Sequence, residues 1–408
     1  MAMPYRGTLI AIICSLSAGL MMSMLVYCFG LFANELRMEF GWSALEINFA
    51  LSFGIINIFT APLYGRISDK YGIKIVMIIC YLVVGFGYLF RPMIDTLFEW
   101  YLFSAIVAAG LPIHTLAGGK LIPLWYPDSK GKVMGIVYTG DNIGGMIMPA
   151  ITVFFIIFLS WQLAFFLFGI INFIFAFLAF LFITDSFEII KKERSKHNLS
   201  QSLNSKIDQT TIGVDLREGF FSLRMWLVMI SIGLGLITLT GIVTQLPQFL
   251  EERNINIAII NSSVFSLSLG GLLSKIFIGR LSDKISALNS MIISFILQAA
   301  GIYLLIISFS NYGLILCAFF FGFGMGAMGP LVNLLISEQF GMKNFGSFLS
   351  LAYILFTITS SFIPIYNGYI KDVYGTYDIG FYSIIFALIL GMTILYLSKY
   401  LKKYDFEK

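Results

Sequence analysis

Charge is scarce in this sequence: 12% of its 408 residues are Asp, Glu, Lys or Arg, against 58% that are hydrophobic. A water-soluble domain carries roughly a quarter of its residues charged, so a soluble enzyme is excluded. Histidine is scarcer still, and His114 and His197 stand too far apart in sequence to suggest a metal site. The four cysteines, Cys14, Cys28, Cys80 and Cys317, all fall in apolar stretches. Their spacing fits neither a disulfide framework nor a metal cluster, and they read as inert buried thiols. The glycine-rich stretches have no strand before them and no lysine–serine pair after them, so no phosphate-binding loop is present. No metal, cofactor or nucleic acid is expected.

What the sequence does have is apolar runs of about twenty residues, each long enough to cross roughly 30 Å of hydrocarbon as a helix. Lipid offers the backbone no hydrogen-bond partners, so spanning segments of this kind are helices. Twelve are expected, at 7–32, 45–65, 74–92, 98–122, 132–157, 161–184, 224–249, 256–279, 286–308, 312–336, 344–367 and 377–398. The short start, Met1 to Arg6, leads directly into the first and reads as a retained helix, not a cleaved signal. The fold class is therefore all-α membrane protein. Residues 1–184 and 224–408 form two six-helix halves, and 185–223 form a linker with the polar run Lys191-Lys192-Glu193-Arg194-Ser195-Lys196. That linker is expected to be partly disordered. If both termini are cytoplasmic, 21 of the 26 lysines and arginines lie on the cytoplasmic side and four on the other, which the positive-inside rule favours.

A charged motif marks both halves. Gly65-Arg66-Ile67-Ser68-Asp69-Lys70 returns 214 residues on as Gly279-Arg280-Leu281-Ser282-Asp283-Lys284, each time at the end of an apolar span. The repeat extends further at an offset of 215, where Gly131, Tyr138 and Pro149 match Gly346, Tyr353 and Pro364. The motif is expected to join two helices, with Gly65 and Gly279 permitting close helix approach. Asp69 and Asp283 are expected near the N-terminus of the following helix, where its dipole favours a carboxylate. Parallel halves around a central site are a transporter architecture.

The stretch Gly65-Arg66-Ile67-Ser68-Asp69-Lys70-Tyr71-Gly72-Ile73-Lys74 resembles the loop motif of the major facilitator superfamily. The resemblance implies that fold and alternating access, with Arg66, Asp69, Arg280 and Asp283 latching one state. Further segments resemble its oxalate/formate antiporter and monocarboxylate porter branch: Tyr27-Cys28-Phe29-Gly30-Leu31-Phe32, Glu39-Phe40-Gly41-Trp42-Ser43, Trp125-Tyr126-Pro127, and Phe340-Gly341 with Asn344-Phe345-Gly346. That branch places a cation four residues before the glycine of the second motif, which here is Lys275. The similarity implies that Lys275 binds a substrate carboxylate, although arginine would offer a two-pronged grip. The second cation of oxalate carriers has no counterpart in Ser350-Leu351-Ala352-Tyr353-Ile354, which favours a monoanion over a dianion.

Ionisable residues inside spans are costly and usually face a cavity or a partner. Lys275 lies roughly 6 Å from Gly279 along the helix; it either binds an anion or snorkels to the headgroups. Asp141 lies about 14 Å beyond Lys132, and its counterpart in the repeat is Phe356. It is either a structural carboxylate or a proton site, and in the resembled fold it can pair with Lys275 when no substrate is bound. His114 reads as a packing residue or a substrate contact, and Lys120 as a snorkelling anchor. Tyr27, Asn333 and Tyr353 are weaker candidates for substrate hydrogen bonds. Gly140, Gly144 and Gly145, with Gly322, Gly324, Gly326 and Gly329, suggest tight helix contacts.

The expected function is secondary transport of a small organic monoanion such as a monocarboxylate, coupled to protons, by a monomer in the cytoplasmic membrane. Anion exchange and sugar or drug transport are the alternatives. A non-transporting receptor is disfavoured, because neither linker nor tail is large enough for an output domain.

Overall fold

The computed structural model describes residues 6–126, 130–186, 189–190, 213–308, 310–341 and 343–401. Most of the linker expected to be loosely ordered, 191–212, lies outside them. The described residues hold 12 helices long and apolar enough to cross a membrane. Spans 1 to 6 are Arg6–Tyr27, Ala44–Tyr71, Ile73–Met93, Leu97–Trp125, Val133–Phe158 and Trp161–Phe182. Spans 7 to 12 are Leu223–Val243, Ile257–Ser282, Ala287–Ile307, Asn311–Phe340, Phe345–Tyr374 and Asp378–Tyr400. Each expected span finds its counterpart, and the multi-pass helical class stands. The chain divides into two compact units, Met1–Ser202 and Leu203–Lys408.

Local chemistry sets where helices start and stop. Spans 2 and 4 each open on a capping box, Ser43 with Glu46 and Thr96 with Glu99, which satisfies otherwise orphaned N–H groups. Span 2 runs six residues past its expected end and stops at Gly72, whose φ of +89° a side chain would resist. The charged motif is therefore the last two turns of a helix, not a loop. Polar residues suggested a turn there, yet none of Arg66, Ser68, Asp69 or Lys70 breaks a helix, and the stop signal is the later glycine.

Departures from regular helix recur in both units. Span 1 passes into a π-helical segment at Ser23–Tyr27 and span 7 into one at Leu239–Val243. Span 4 is broken between Leu97–Gly110 and Ile113–Trp125, and span 10 between Asn311–Met325 and Met328–Phe340. Spans 5 and 11 carry internal prolines at matching places, Pro149 and Pro364. Such irregularities cost backbone hydrogen bonds and in membrane proteins persist where protein encloses them.

Each unit also ties its first span, and the short helix that follows it, to its last. In the first, Arg6 donates through Nε and Nη2 to the Phe182 carbonyl at 3.3 and 3.1 Å. At the other end Trp161 Nε1 donates to Glu39 at 2.6 Å. In the second, Arg224 donates to the Leu401 carbonyl at 3.0 Å, and Arg253 pairs with Asp378 at 2.8 Å. Lipid gives apolar surfaces no reason to associate, so packing and such hydrogen bonds carry the assembly. A hydrogen bond involving a charged group contributes about 1.5–3 kcal/mol. Around these ties sit stacked rings, Phe32 on Phe165 at 4.0 Å in one unit and Phe249 on Phe381 at 4.6 Å in the other.

Candidate functional site

The motif end of the first unit is built around Lys120. Its ammonium reaches from span 4 to span 2, where it pairs with Asp69 and donates to Ser68 Oγ at 2.5 Å and the Gly65 carbonyl at 3.5 Å. A carboxylate in the last turn of a helix faces the negative end of its dipole, and Lys120 offsets that disadvantage. Three expectations change. Asp69 sits at the C-terminal end of its own helix and is held by a lysine, and Lys120 is a clamp between two spans, not a simple anchor. Gly65 does not serve close approach either, since a Cβ there would meet nothing within 4 Å. Arg66 is exposed.

The second motif is not its mirror. It lies within one unbroken helix, Ile257–Ile285. Arg280 is exposed, and the side chain of Asp283 lies outside the described residues. The position matching Lys120 holds Leu335. At this end of the second unit Glu338 accepts from the Ala287 N–H at 3.1 and 3.0 Å, capping the helix that follows the motif.

Deeper in the first unit the structure brings together two residues that sequence reasoning treated apart. His114 Nε2 lies 3.3 Å from Asp141 Oδ1, with side chains 18% and 22% exposed. The break in span 4 creates this meeting. The helix ends at Gly110, Pro112 cannot donate, and the restarted helix presents His114 in its first turn, its N–H bonded to the Leu111 carbonyl at 3.0 Å. Glycines set the position of Asp141. A Cβ on Gly140 would run into the Ser15 backbone, and one on Gly144 into that of Gly19. Span 5 therefore lies directly on span 1, and Ser15 Oγ donates to the Val137 carbonyl at 2.9 Å. A histidine–carboxylate pair in such a place can hold a proton or pass it on. The second unit keeps the break but not the chemistry: at the offset of 215 that aligns the two restarted helices, Gly329 and Phe356 occupy the matching positions.

The remaining candidates are dispersed. Lys275 is half-buried on span 8, beside Ser274, whose Oγ accepts from the Ala327 N–H at 3.1 Å inside the break of span 10. There Gly326 approaches Gly271 so closely that no side chain fits between them. Gly322 and Gly324 are similarly tight, whereas Gly329 meets open space, against expectation. Asn333 spends its amide on the Gly329 carbonyl of its own helix at 3.0 Å. Tyr353 is 37% exposed and its ring meets that of Phe356 edge-on. Tyr27 is buried at the end of the π-helical segment of span 1. Asp141 and Lys275 belong to different units. The pairing of Lys120 with Asp69 and that of His114 with Asp141 are what sequence reasoning missed. The available signal was a cation and an imidazole six residues apart on a span interrupted by Gly-Leu-Pro.

Twelve membrane-length helices in two units, with repeated helix breaks and ionisable pairs inside the spans, define a multi-pass membrane transporter. The family profile of the Major Facilitator Superfamily matches residues 11–268 and 246–405, and the chain belongs to that superfamily. It is 24% identical over 326 residues to the multi-drug resistance efflux pump PmrA of Streptococcus pneumoniae, covering 79% of this chain and 78% of that one. It is 25% identical to the multidrug resistance protein MdtG of Salmonella arizonae over 72% of each, and 22% identical to the MFS-type transporter YhjX of Escherichia coli over 82% and 81%. Among solved structures it superposes on a bacterial homolog of the human lysosomal transporter Spinster, inward-facing and unoccupied, with TM-score 0.76 and 12% identity over 98% of each chain. The nucleoside transporter NupG gives TM-score 0.72 at 14% identity over 96% and 99%. These two likenesses concern fold. The superfamily expected from the motif is thus the right one, while two of these relatives carry multidrug-pump names and not those of the carboxylate branch.

Proposed function

We propose that the protein is a proton-coupled secondary transporter working by alternating access, and that its cargo is a small organic monoanion. The observation that carries this reading is the His114–Asp141 pair, 3.3 Å apart inside the span region. Ionisable groups there cost a few kcal/mol unless they are paired or hydrated and so mark function by default, and this pair is absent from the matching places of the second half. Protonation of the pair would be coupled to loading, with Lys275 as the fixed positive charge for the cargo carboxylate. Tyr27, Asn333 and Tyr353 are secondary contacts, the first two with much of their hydrogen-bonding capacity or surface already engaged by protein. Arg66, Asp69, Arg280 and Asp283 gate the motif end, joined by Lys120. On this reading the protein works in the cell membrane as a monomer, both termini cytoplasmic, with halves 1–184 and 224–408 and linker 185–223.

The names of the relatives favour a second reading, export of drug-like compounds driven by the same proton pair. Proteoliposomes separate the two. Uptake of a labelled monocarboxylate panel, with and without an inward proton gradient, is compared with gradient-driven movement of a cationic dye. Gradient-stimulated carboxylate uptake supports the first reading. Dye movement without carboxylate uptake overturns the cargo assignment, and transport indifferent to the gradient overturns proton coupling.

A further inference from the structure

The stretch that leads into span 7 has no part in the sites above. Its backbone is mounted on the junction between spans 10 and 11. Gly213 pairs with Gly341 in an antiparallel bridge, and the Val214 N–H donates to the Phe340 carbonyl at 2.9 Å. Asn344 Nδ2 donates to the Val214 carbonyl at 3.0 Å, and Lys343 pairs with Asp215 at 2.8 Å. Val214 is buried. The short helix Leu216–Phe220 sets Gly219 against Phe348, where a Cβ would come within 2.6 Å of the ring. Phe348 in turn stacks on Phe340 at 4.8 Å. Protein thus holds one side of this stretch closely.

The other side carries apolar side chains. Leu216 and Phe220 stand one helical turn apart, and Phe221 and Leu223 follow. All four are exposed, Phe221 at 79% and Leu223 at 63%. The Phe220 ring lies 5.9 Å from that of Phe221 and 5.3 Å from that of Trp226, so the patch is continuous. Trp226 Nε1 donates to the Phe220 carbonyl at 2.9 Å, which ties the patch to the first turn of span 7. An apolar patch held outward on a fixed mount marks an interaction surface. Its position says what covers it. The row runs without a gap into span 7 at Leu223, where the membrane-crossing helix begins, and aromatic rings settle at the boundary between hydrocarbon and water. An open cavity of about 670 Å³ beside Phe221 has a lining of the same mixed kind, Leu216 and Phe221 with Asp215, Arg217, Glu218 and Asn344. Asp215 and Glu218 offset Arg217 and Lys343, so no net charge is left to select anionic headgroups. Attachment rests on apolar burial.

We propose that residues 216–223 form a membrane-surface foot. Its apolar side chains lie in the headgroup boundary on the motif side of the bilayer, and it fixes the junction of spans 10 and 11 at that level. The test uses the full-length protein in phosphatidylcholine vesicles. Leu216→Cys, Glu218→Cys and Phe221→Cys each carry one nitroxide label; Cys14, Cys28, Cys80 and Cys317 are buried and stay unlabelled. Collisions with oxygen, which concentrates in hydrocarbon, are compared with collisions with a water-soluble nickel chelate. The labels at 216 and 221 should favour oxygen severalfold more than the label at 218. Replacing part of the phosphatidylcholine by phosphatidylglycerol should leave those ratios unchanged. Adding Phe220→Ser and Leu223→Ser to the Phe221→Cys protein should abolish the oxygen preference at 221 without moving the melting temperature. Labels at 216 and 221 as open to nickel as the one at 218 would overturn the proposal. Labels shielded from both reagents would overturn it too, because they report a protein cover, the linker or a second copy. An oxygen preference that appears only with phosphatidylglycerol, or that survives the two serine substitutions, refutes the apolar attachment.

Discussion

Replacing Lys120 by Met, Asp69 by Asn, and both together separates what the clamp does for stability from what it does for transport. The Asp69 side chain is 74% exposed and that of Lys120 31%. An ion pair so open to water contributes about 0.2–1 kcal/mol. Unfolding should barely register its loss, and the melting temperature is expected to move by no more than about 2–4 °C. A transport cycle reads the same free energy differently. Between two states of similar energy, about 1 kcal/mol changes the ratio roughly fivefold. Initial uptake into proteoliposomes should therefore fall severalfold in each single variant, while the amount inserted in membranes stays the same. The double variant should fall no further than either single one, because the pair acts as a unit. The exchange of Asp69→Lys with Lys120→Asp should recover part of the loss, since a cation in a last helical turn is favourable. Normal uptake by either single variant, or losses that add in the double variant, would refute the reasoning.

Three further outcomes are expected. Asp141→Asn leaves His114 without a charged partner and should flatten the pH dependence of uptake; a variant that keeps the native pH profile excludes proton coupling through the pair. Lys275→Gln should raise KM for a carboxylate at least tenfold with protein levels unchanged, whereas Lys275→Arg should retain most of the affinity; an unaltered KM in the glutamine variant removes Lys275 from the binding site. Two glycines should respond oppositely. Gly140→Leu forces span 5 off the Ser15 backbone and should cost about 1–3 kcal/mol or more, while Gly329→Ala, facing open space in a helix, should gain up to about 1 kcal/mol. Thermal unfolding of both checks this, and equal effects would show that the spacing argument fails.

How much of this the sequence reveals depends on what each feature costs. The twelve spans are legible because lipid tolerates little but long apolar helices. The duplication is legible because the motif is short, charged and repeated. The contacts that matter most are not. Whether Lys120 meets Asp69, or His114 meets Asp141, depends on the rotation of helices from different spans, and hydropathy carries no such information. The irregular backbone was equally hidden. The π-helical turns at Ser23–Tyr27 and Leu239–Val243 share no sequence pattern, although they occupy matching places. Even the motif misled locally, since its polar residues resemble a turn while Gly72, seven residues past Gly65, is the actual stop.

The ties that close each unit on its last span also bear on how such a chain could arise. Arg6 grips Phe182 and Glu39 grips Trp161, just as Arg224 grips Leu401 and Arg253 grips Asp378. Each half thus satisfies its own ends. A module of that kind asks nothing of its neighbour for closure, so two copies can be joined tail to head by any loop of sufficient length. After such a joining, the matching helix ends keep their original partners, and mutations elsewhere are free to diverge. The Lys120 clamp and the His114–Asp141 pair, present in one half and absent from the other, are what that freedom permits.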